Sequence, residues 1–289
     1  MKTQNNSSYI LPDKTVEVSH GLHINFTETG KGKTLLFIHG LANFAQVWQL
    51  QQNKLSSFRC IAIDLPGCGH SSKGYLPYSM VYYSEVIALF IKKMQLTDVT
   101  ICGHSMGGQV ALIFALRYPQ LAQKLILIAP SGFEQFTAFE IAAIKQMLPL
   151  SNWFISDETK LVQSLKQSFF KLNATGSQII NDLQGLLSQT DLAQWRYMVN
   201  RCIVGMLTEP VYDLLPFLAS KTLVIFGCND ALIPNTMLHY STTQKIAQRA
   251  CKQIPDAQLH MIEHAGHAVF LEKPDEVNRL IIDFMNVSD

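Results

Sequence analysis

The chain has 289 residues, of which 48% are hydrophobic and 16% charged, and its formal net charge at pH 7 is +1. That apolar content can build a large buried core, either as one domain or as one domain carrying an insertion. A charge so close to zero offers no electrostatic footprint for nucleic acid or for an anionic membrane surface, and it suits small neutral or weakly charged ligands.

In chain order, residues 15–19 and 22–29 alternate apolar and polar side chains on either side of His20-Gly21 and predict a hairpin at a sheet edge. Residues 35–38 and 59–63 are short apolar runs that predict buried parallel strands. Residues 78–94 carry apolar side chains at helical spacing and precede a further strand at 99–102. The stretch 109–118 is apolar on nearly every side, as a helix lying against a sheet would be; Pro119 helps to end it, and 125–129 gives another strand. Strands and helices alternating in this way imply a parallel, doubly wound sheet with its sites at the strand C-termini.

The alternation then stops. Helix-like stretches at 136–147, 158–170, 177–187 and 192–206 fill the interval, and strand signals resume only at 222–226 and 258–262.

Chemistry concentrates where strands end. Gly103-His104-Ser105-Met106-Gly107 is a G-x-S-x-G pentapeptide between a strand and a helix, the context of a nucleophile elbow. In so sharp a turn the residues two before and two after the serine must be small, and Gly103, Gly107 and Gly108 meet that need. Acyl transfer by a serine also requires a base, a carboxylate to orient the base, and donors for the oxyanion. Asp230 follows the strand at 222–226, and His267 follows the strand at 258–262 in His264-Ala265-Gly266-His267. His39-Gly40-Leu41 closes the strand at 35–38, where the glycine lets the backbone aim an NH inward; the amides of Leu41 and Met106 are the expected oxyanion donors.

These motifs, with Asp64-Leu65-Pro66-Gly67-Cys68-Gly69-His70-Ser71, resemble those of the α/β-hydrolase superfamily, and the resemblance runs from about Val16 to Phe284. It implies a mostly parallel eight-stranded sheet with an inserted helical cap: a core at 1–130 and 217–289, and the cap, or lid, at 131–216. It also implies a triad in the order Ser105, Asp230, His267, with no cofactor and no metal. The implied reaction is hydrolysis of small to medium acyl or aryl esters through an acyl-enzyme on Ser105. Serine at the elbow excludes the alkyl-enzyme chemistry of haloalkane dehalogenases and epoxide hydrolases, which needs a carboxylate there.

Rivals attach to several of these residues. His264 competes with His267 as base, and Glu134, after the strand at 125–129, competes with Asp230 as acid. A C–C bond hydrolase of ring-cleavage diketones or a cofactor-free perhydrolase would use the same triad, although His39-Gly40-Leu41-Ala42-Asn43 lacks the glycine-rich extension of many diketone hydrolases. From another class, a ligand-binding sensor can keep this fold and triad.

Other motif readings fail on context. Gly30-Lys31-Gly32-Lys33-Thr34 precedes its strand and has Thr27 where a Walker loop needs its first glycine. The Gly67–Ser72 stretch lacks the third glycine of a dinucleotide fingerprint. Residues 1–8 are polar without the apolar segment of a signal peptide, and no run approaches the roughly 18 apolar residues of a membrane span. Six cysteines without C-x-x-C pairing fit a reduced, cytoplasmic protein, with Cys60 and Cys102 as buried apolar side chains. The lid aromatics and methionines Phe133, Phe136, Phe139, Met147, Trp153, Phe154, Trp195, Tyr197 and Met206 could line a pocket, but most are expected to pack the lid's own helices.

Overall fold

The predicted hairpin forms as β1 (Asp13–Ser19) and β2 (Leu22–Thr29), turned at Gly21, whose φ of +71° suits glycine. The structure, a computed structural model, describes residues 11–150 and 158–287. Next come β3 (Thr34–Ile38), α1 (Gln49–Lys54), β4 (Arg59–Ile63), α2 (Met80–Lys93) and β5 (Val99–His104). They are followed by α3 (Met106–Arg117) and β6 (Lys124–Ile128).

Eight strands form one sheet in the order β1-β2-β4-β3-β5-β6-β7-β8, counting β7 (Lys221–Gly227) and β8 (Ala257–Ile262). β2 runs antiparallel to both its neighbours, and every pairing from β4 onward is parallel. All residues of β3, β5 and β6 are buried, so both faces of the sheet centre are covered, as near-continuous apolar strands require. The expected α/β-hydrolase sheet is therefore the sheet observed.

From β3 the chain steps outward to β4 and then returns across β3 to β5, so the order reverses between β3 and β5. A crevice opens at such a reversal beyond the strand C-termini. Ser105 follows β5 and His39-Gly40 follows β3, one on each side of it.

Between the neighbouring strands β6 and β7 lie four helices: α4 (Ala138–Leu150), α5 (Glu158–Gln167), α6 (Ala174–Leu187) and α7 (Leu192–Thr208). Asn173 caps α6 and Asp191 caps α7 by accepting from free amides of the first turn. The apolar face of α7 (Trp195, Met198, Val199, Cys202) is buried in the same cluster as the sheet core. Sequence periodicity placed all four helices but missed α1, α8 (Thr243–Cys251), α9 (Val269–Glu272) and α10 (Pro274–Asn286).

Two boundaries moved for a physical reason. β5 extends through Gly103 to His104, and α3 begins at Met106 although two glycines follow it. Glycine lowers helix propensity, but here the turn permits nothing larger, and packing overrides propensity.

Candidate active site

Ser105 sits between β5 and α3 at φ 54° and ψ −119°, a conformation that non-glycine residues adopt only when the surroundings impose it. Its amide donates to the Ile128 carbonyl at 3.0 Å, and its own carbonyl accepts from Gly108 (2.9 Å), Ser131 (3.0 Å) and Gln109 (3.2 Å). Close packing explains the glycines around it. A Cβ on Gly103 would overlap the Gly107 carbonyl, one on Gly107 would overlap the carbonyls of Ile38 and His39, and one on Gly108 would lie 2.7 Å from Cβ of Pro130.

Beyond β7 the chain delivers Asp230, whose carboxylate is fully buried. One oxygen accepts from the amides of Leu232 (2.8 Å) and Ile233 (3.1 Å), and the other lies 2.8 Å from Nδ1 of His267. With the ionised carboxylate able only to accept, Nδ1 carries the proton and Nε2 is left with its lone pair. A Cβ on Gly227 would overlap the carbonyls of Ala265 and Gly266, so the end of β7 and the loop after β8 touch backbone to backbone.

That loop is also held by Glu272 of α9 and by the interval between β6 and β7. The Gly266 amide donates to Glu272 at 2.7 Å, the Ala268 amide donates to the Ser168 carbonyl at 2.8 Å, and a Cβ on Gly266 would fall 2.6 Å from the amide of Phe170. Glu272 also accepts from the Lys171 amide at 2.9 Å, and Asn173 donates to the Leu271 carbonyl at 2.9 Å. Sequence reading passed over Glu272, whose one signal was its place five residues after His267.

After β3, the imidazole of His39 is fully buried and has both nitrogens engaged. Nε2 accepts from the Leu65 amide at 3.0 Å, and Nδ1 donates to the Gly40 carbonyl at 2.7 Å. Burial pushes its pKa down, more than the Gly40 carbonyl and the Asp64 charge push it up, and the ring is neutral. The amides of Leu41 and Met106 donate to no protein group among the described residues. Asp64 knits the neighbouring loops, accepting from Ala45 (2.6 Å), His70 (2.8 Å) and the Asn25 side chain (2.9 Å). This segment supports the turns by hydrogen bonds.

The rival residues lie elsewhere. Glu134 accepts from the Asn235 amide at 2.8 Å and from Nδ1 of His239 at 2.5 Å, while Nε2 of His239 lies 3.2 Å from Glu140 of α4. His264, at φ 53°, turns its ring toward Phe170 with centroids 6.0 Å apart. The structure thus brings Asp230 to His267, and takes Glu134 and His264 to other partners.

Among the aromatic and methionine side chains of residues 131–216, Phe133 packs 6.1 Å from Phe226 of β7, Trp195 is buried, and Met206 packs against the core from a half-buried position. Phe136 faces His239, Tyr197 meets Tyr75 and Tyr78, and Phe139 and Met147 are exposed. Trp153 and Phe154 fall outside the described residues. Against the turn after β3, α6 and α7 leave a cavity of about 20 Å³ lined by Ala42, Asn43, Cys68, Leu183 and Trp195. Room for about one water is all that volume offers.

A family model described as "alpha/beta hydrolase fold" matches residues 33–274, most of the chain. The chain belongs to the alpha/beta hydrolase fold family. At 24% identity it is similar to a 2-hydroxy-6-oxo-6-phenylhexa-2,4-dienoate hydrolase of Comamonas testosteroni, with 98% of each chain covered. Among solved structures it is similar to an esterase from Exiguobacterium antarcticum, with TM-score 0.79 and 19% identity over 96% of this chain and 100% of that one. It is also similar to a meta-cleavage product hydrolase from Pseudomonas fluorescens, with TM-score 0.73 and 22% identity over 94% and 97%. These structural likenesses establish the fold, and the family is one of hydrolases. No described helix is long and apolar enough to cross a membrane. Among the described residues, no three His, Cys, Asp or Glu side chains gather as metal ligands would.

Proposed function

We propose that this hydrolase cleaves carboxylic esters of small to medium acyl or aryl groups through an acyl-enzyme on Ser105. The observation that carries the reading is the buried 2.8 Å pair of Asp230 and His267, placed beyond the same strand ends as the strained Ser105. In the proposed cycle Nε2 of His267 takes the Ser105 hydroxyl proton as Oγ attacks the ester carbonyl. Asp230, whose other oxygen accepts from two backbone amides, stabilises the imidazolium that results. The oxyanion rests on the unengaged amides of Leu41 and Met106; loss of one such donor costs about 10² to 10³ in rate. Collapse expels the alcohol with the proton from His267, and water activated by the same nitrogen releases the acid.

In this reading residues 131–216 act as the cap, and residues 1–130 and 217–289 as the catalytic core. Support comes from the way α6 and α7 close on Ala42 and Asn43, next to the proposed oxyanion donor.

Hydrolysis of p-nitrophenyl esters of graded acyl length by wild type and Ser105→Ala tests the proposal. Ser105-dependent turnover is expected, with a loss on the order of 10⁶-fold in the variant. No Ser105-dependent turnover of any ester would sink it. A second reading, C–C bond hydrolysis of a ring-cleavage diketone, is favoured by the activity for which the Comamonas testosteroni relative is named. Turnover of such a dienoate far above that of any ester would move the assignment there.

A further inference from the structure

His104, the residue before the proposed nucleophile, is buried, and among the described residues its side chain makes one hydrogen bond: Nε2 lies 3.1 Å from the backbone carbonyl of His267. A carbonyl only accepts, so Nε2 carries the proton and Nδ1 is a bare lone pair. Nδ1 is buried and meets no donor among the described residues. Its neighbour on that side is Gly40, where a Cβ would come within 3.0 Å of Nδ1 and 3.2 Å of Cβ of Ser105. The ring therefore fills the space between the oxyanion turn, the elbow and the loop bearing His267.

Two further contacts fix it. Its centroid is 4.9 Å from that of His267 and 4.8 Å from that of Phe270, and Phe270 stacks at 4.4 Å on Trp48. A phenyl ring would supply the same packing without leaving a buried nitrogen unpaired. What the imidazole adds is the hydrogen bond to the His267 carbonyl, which joins nucleophile turn and base loop across 163 positions of sequence.

We infer that His104 is a positioning residue: its Nε2–H anchors the main chain of His267 so that the base stands over the neighbouring serine. This rests on the serine-hydrolase reading above. The role requires a neutral ring, since two imidazolium rings side by side would repel each other. Burial first, and the proximity of His267 second, push the His104 pKa well down, so its ring is neutral at neutral pH.

Three proteins test the inference: wild type, His104→Phe, which keeps a ring and removes the donor, and His104→Gln, which restores a donor of similar reach. Each is assayed for ester kcat and KM, for the rate at which a phosphonate labels Ser105, and for its thermal midpoint. His104→Phe is expected to lose about 10- to 100-fold in kcat and in labelling rate, with KM within about twofold and an undiminished midpoint. His104→Gln is expected to regain most of that loss. If His104→Phe does not fold, His104→Asn, too short to reach the carbonyl, takes its place against His104→Gln. Equal labelling of wild type and the donor-less variant, or equal loss in both substitutions, overturns the inference while leaving the nucleophile intact. A wild type that is not labelled at Ser105 overturns the functional reading and this inference together.

Discussion

Two carboxylate–imidazole pairs each draw one member, Asp230 or His239, from the segment after β7, and they differ in what their imidazoles have left to give. His267 meets Asp230 through Nδ1 at 2.8 Å, and no protein carboxylate holds its Nε2 among the described residues. His239 meets Glu134 through Nδ1 at 2.5 Å and Glu140 through Nε2 at 3.2 Å, so both nitrogens are occupied. Surroundings differ as well: the Asp230 carboxylate is sealed from solvent, whereas about a fifth of the His239 side chain is exposed. A short contact to a carboxylate therefore does not mark a base; a free second nitrogen does. His239 instead works as a clamp between the segment after β6 and the loop that carries Asp230.

Asp230→Asn and Glu134→Gln break this comparison most sharply. The first should lower kcat by about 10⁴, because the amide no longer fixes the Nδ1–H tautomer of His267. The second should change kcat by less than about threefold. Ester turnover that survives Asp230→Asn and is lost in Glu134→Gln would reverse the assignment.

Acid titration separates the regions next. His39 and His104 are buried and neutral with lowered pKa values, so the unfolded chain takes up protons that the folded chain refuses. Stability should fall as pH drops below the unfolded value of 6.5, by about 1.4 kcal/mol per pH unit for each such histidine. Calorimetry between pH 7 and 5 checks the slope, and a flat profile would mean that both rings are charged in the native state.

The clamp has the opposite sign. Burial alone would push His239 down, but the carboxylates of Glu134 and Glu140 outweigh it and hold its pKa above the ordinary value. Its stabilisation is complete below the unfolded value of 6.5 and is lost as pH rises through the raised folded value. For a pair this open to solvent the loss should not exceed about 1 kcal/mol. The alkaline decline in thermal midpoint should vanish in His239→Gln, and an unchanged decline would remove the clamp from the explanation.

The smallest effect contrasts a glycine that packing requires with one that it does not. Gly185 of α6 is exposed, and a Cβ there would meet nothing within 4 Å. Gly185→Ala should stabilise the chain by about 0.5 to 1 kcal/mol through helix propensity, whereas Gly107→Ala should destabilise it by 1 kcal/mol or more, at about the scale of an overpacked core. Urea midpoints of the two variants check the pair.

Much of this architecture could be read from local pattern. Apolar runs gave the strands because a strand buried on both faces has no polar alternative, and the small residues around Ser105 marked its turn because a Cβ at Gly103 or Gly107 collides with backbone. The Asp230–His267 contact and the separate fate of Glu134 were invisible locally, since both depend on which loops the sheet order sets side by side. Residue type offered two acids and two bases, and only tertiary structure pairs Asp230 with His267 and takes Glu134 and His264 to other partners. The helices α8 and α10 went unread in a stretch where attention fell on the single residues Asp230 and His267, although both carry amphipathic spacing.

The strap of backbone contacts between Ser168–Asn173 and the loop bearing His267 bears on how this chain could be rebuilt. A chimera that exchanges the whole interval between β6 and β7 for that of a relative would also remove the Ser168 carbonyl that accepts from Ala268 and the backbone packed against Gly266. Grafts that keep residues 168–173 and replace helices on either side of them would change the interval and leave His267 where it stands. The interval is thus not a detachable module, and its dividing line runs through its own middle.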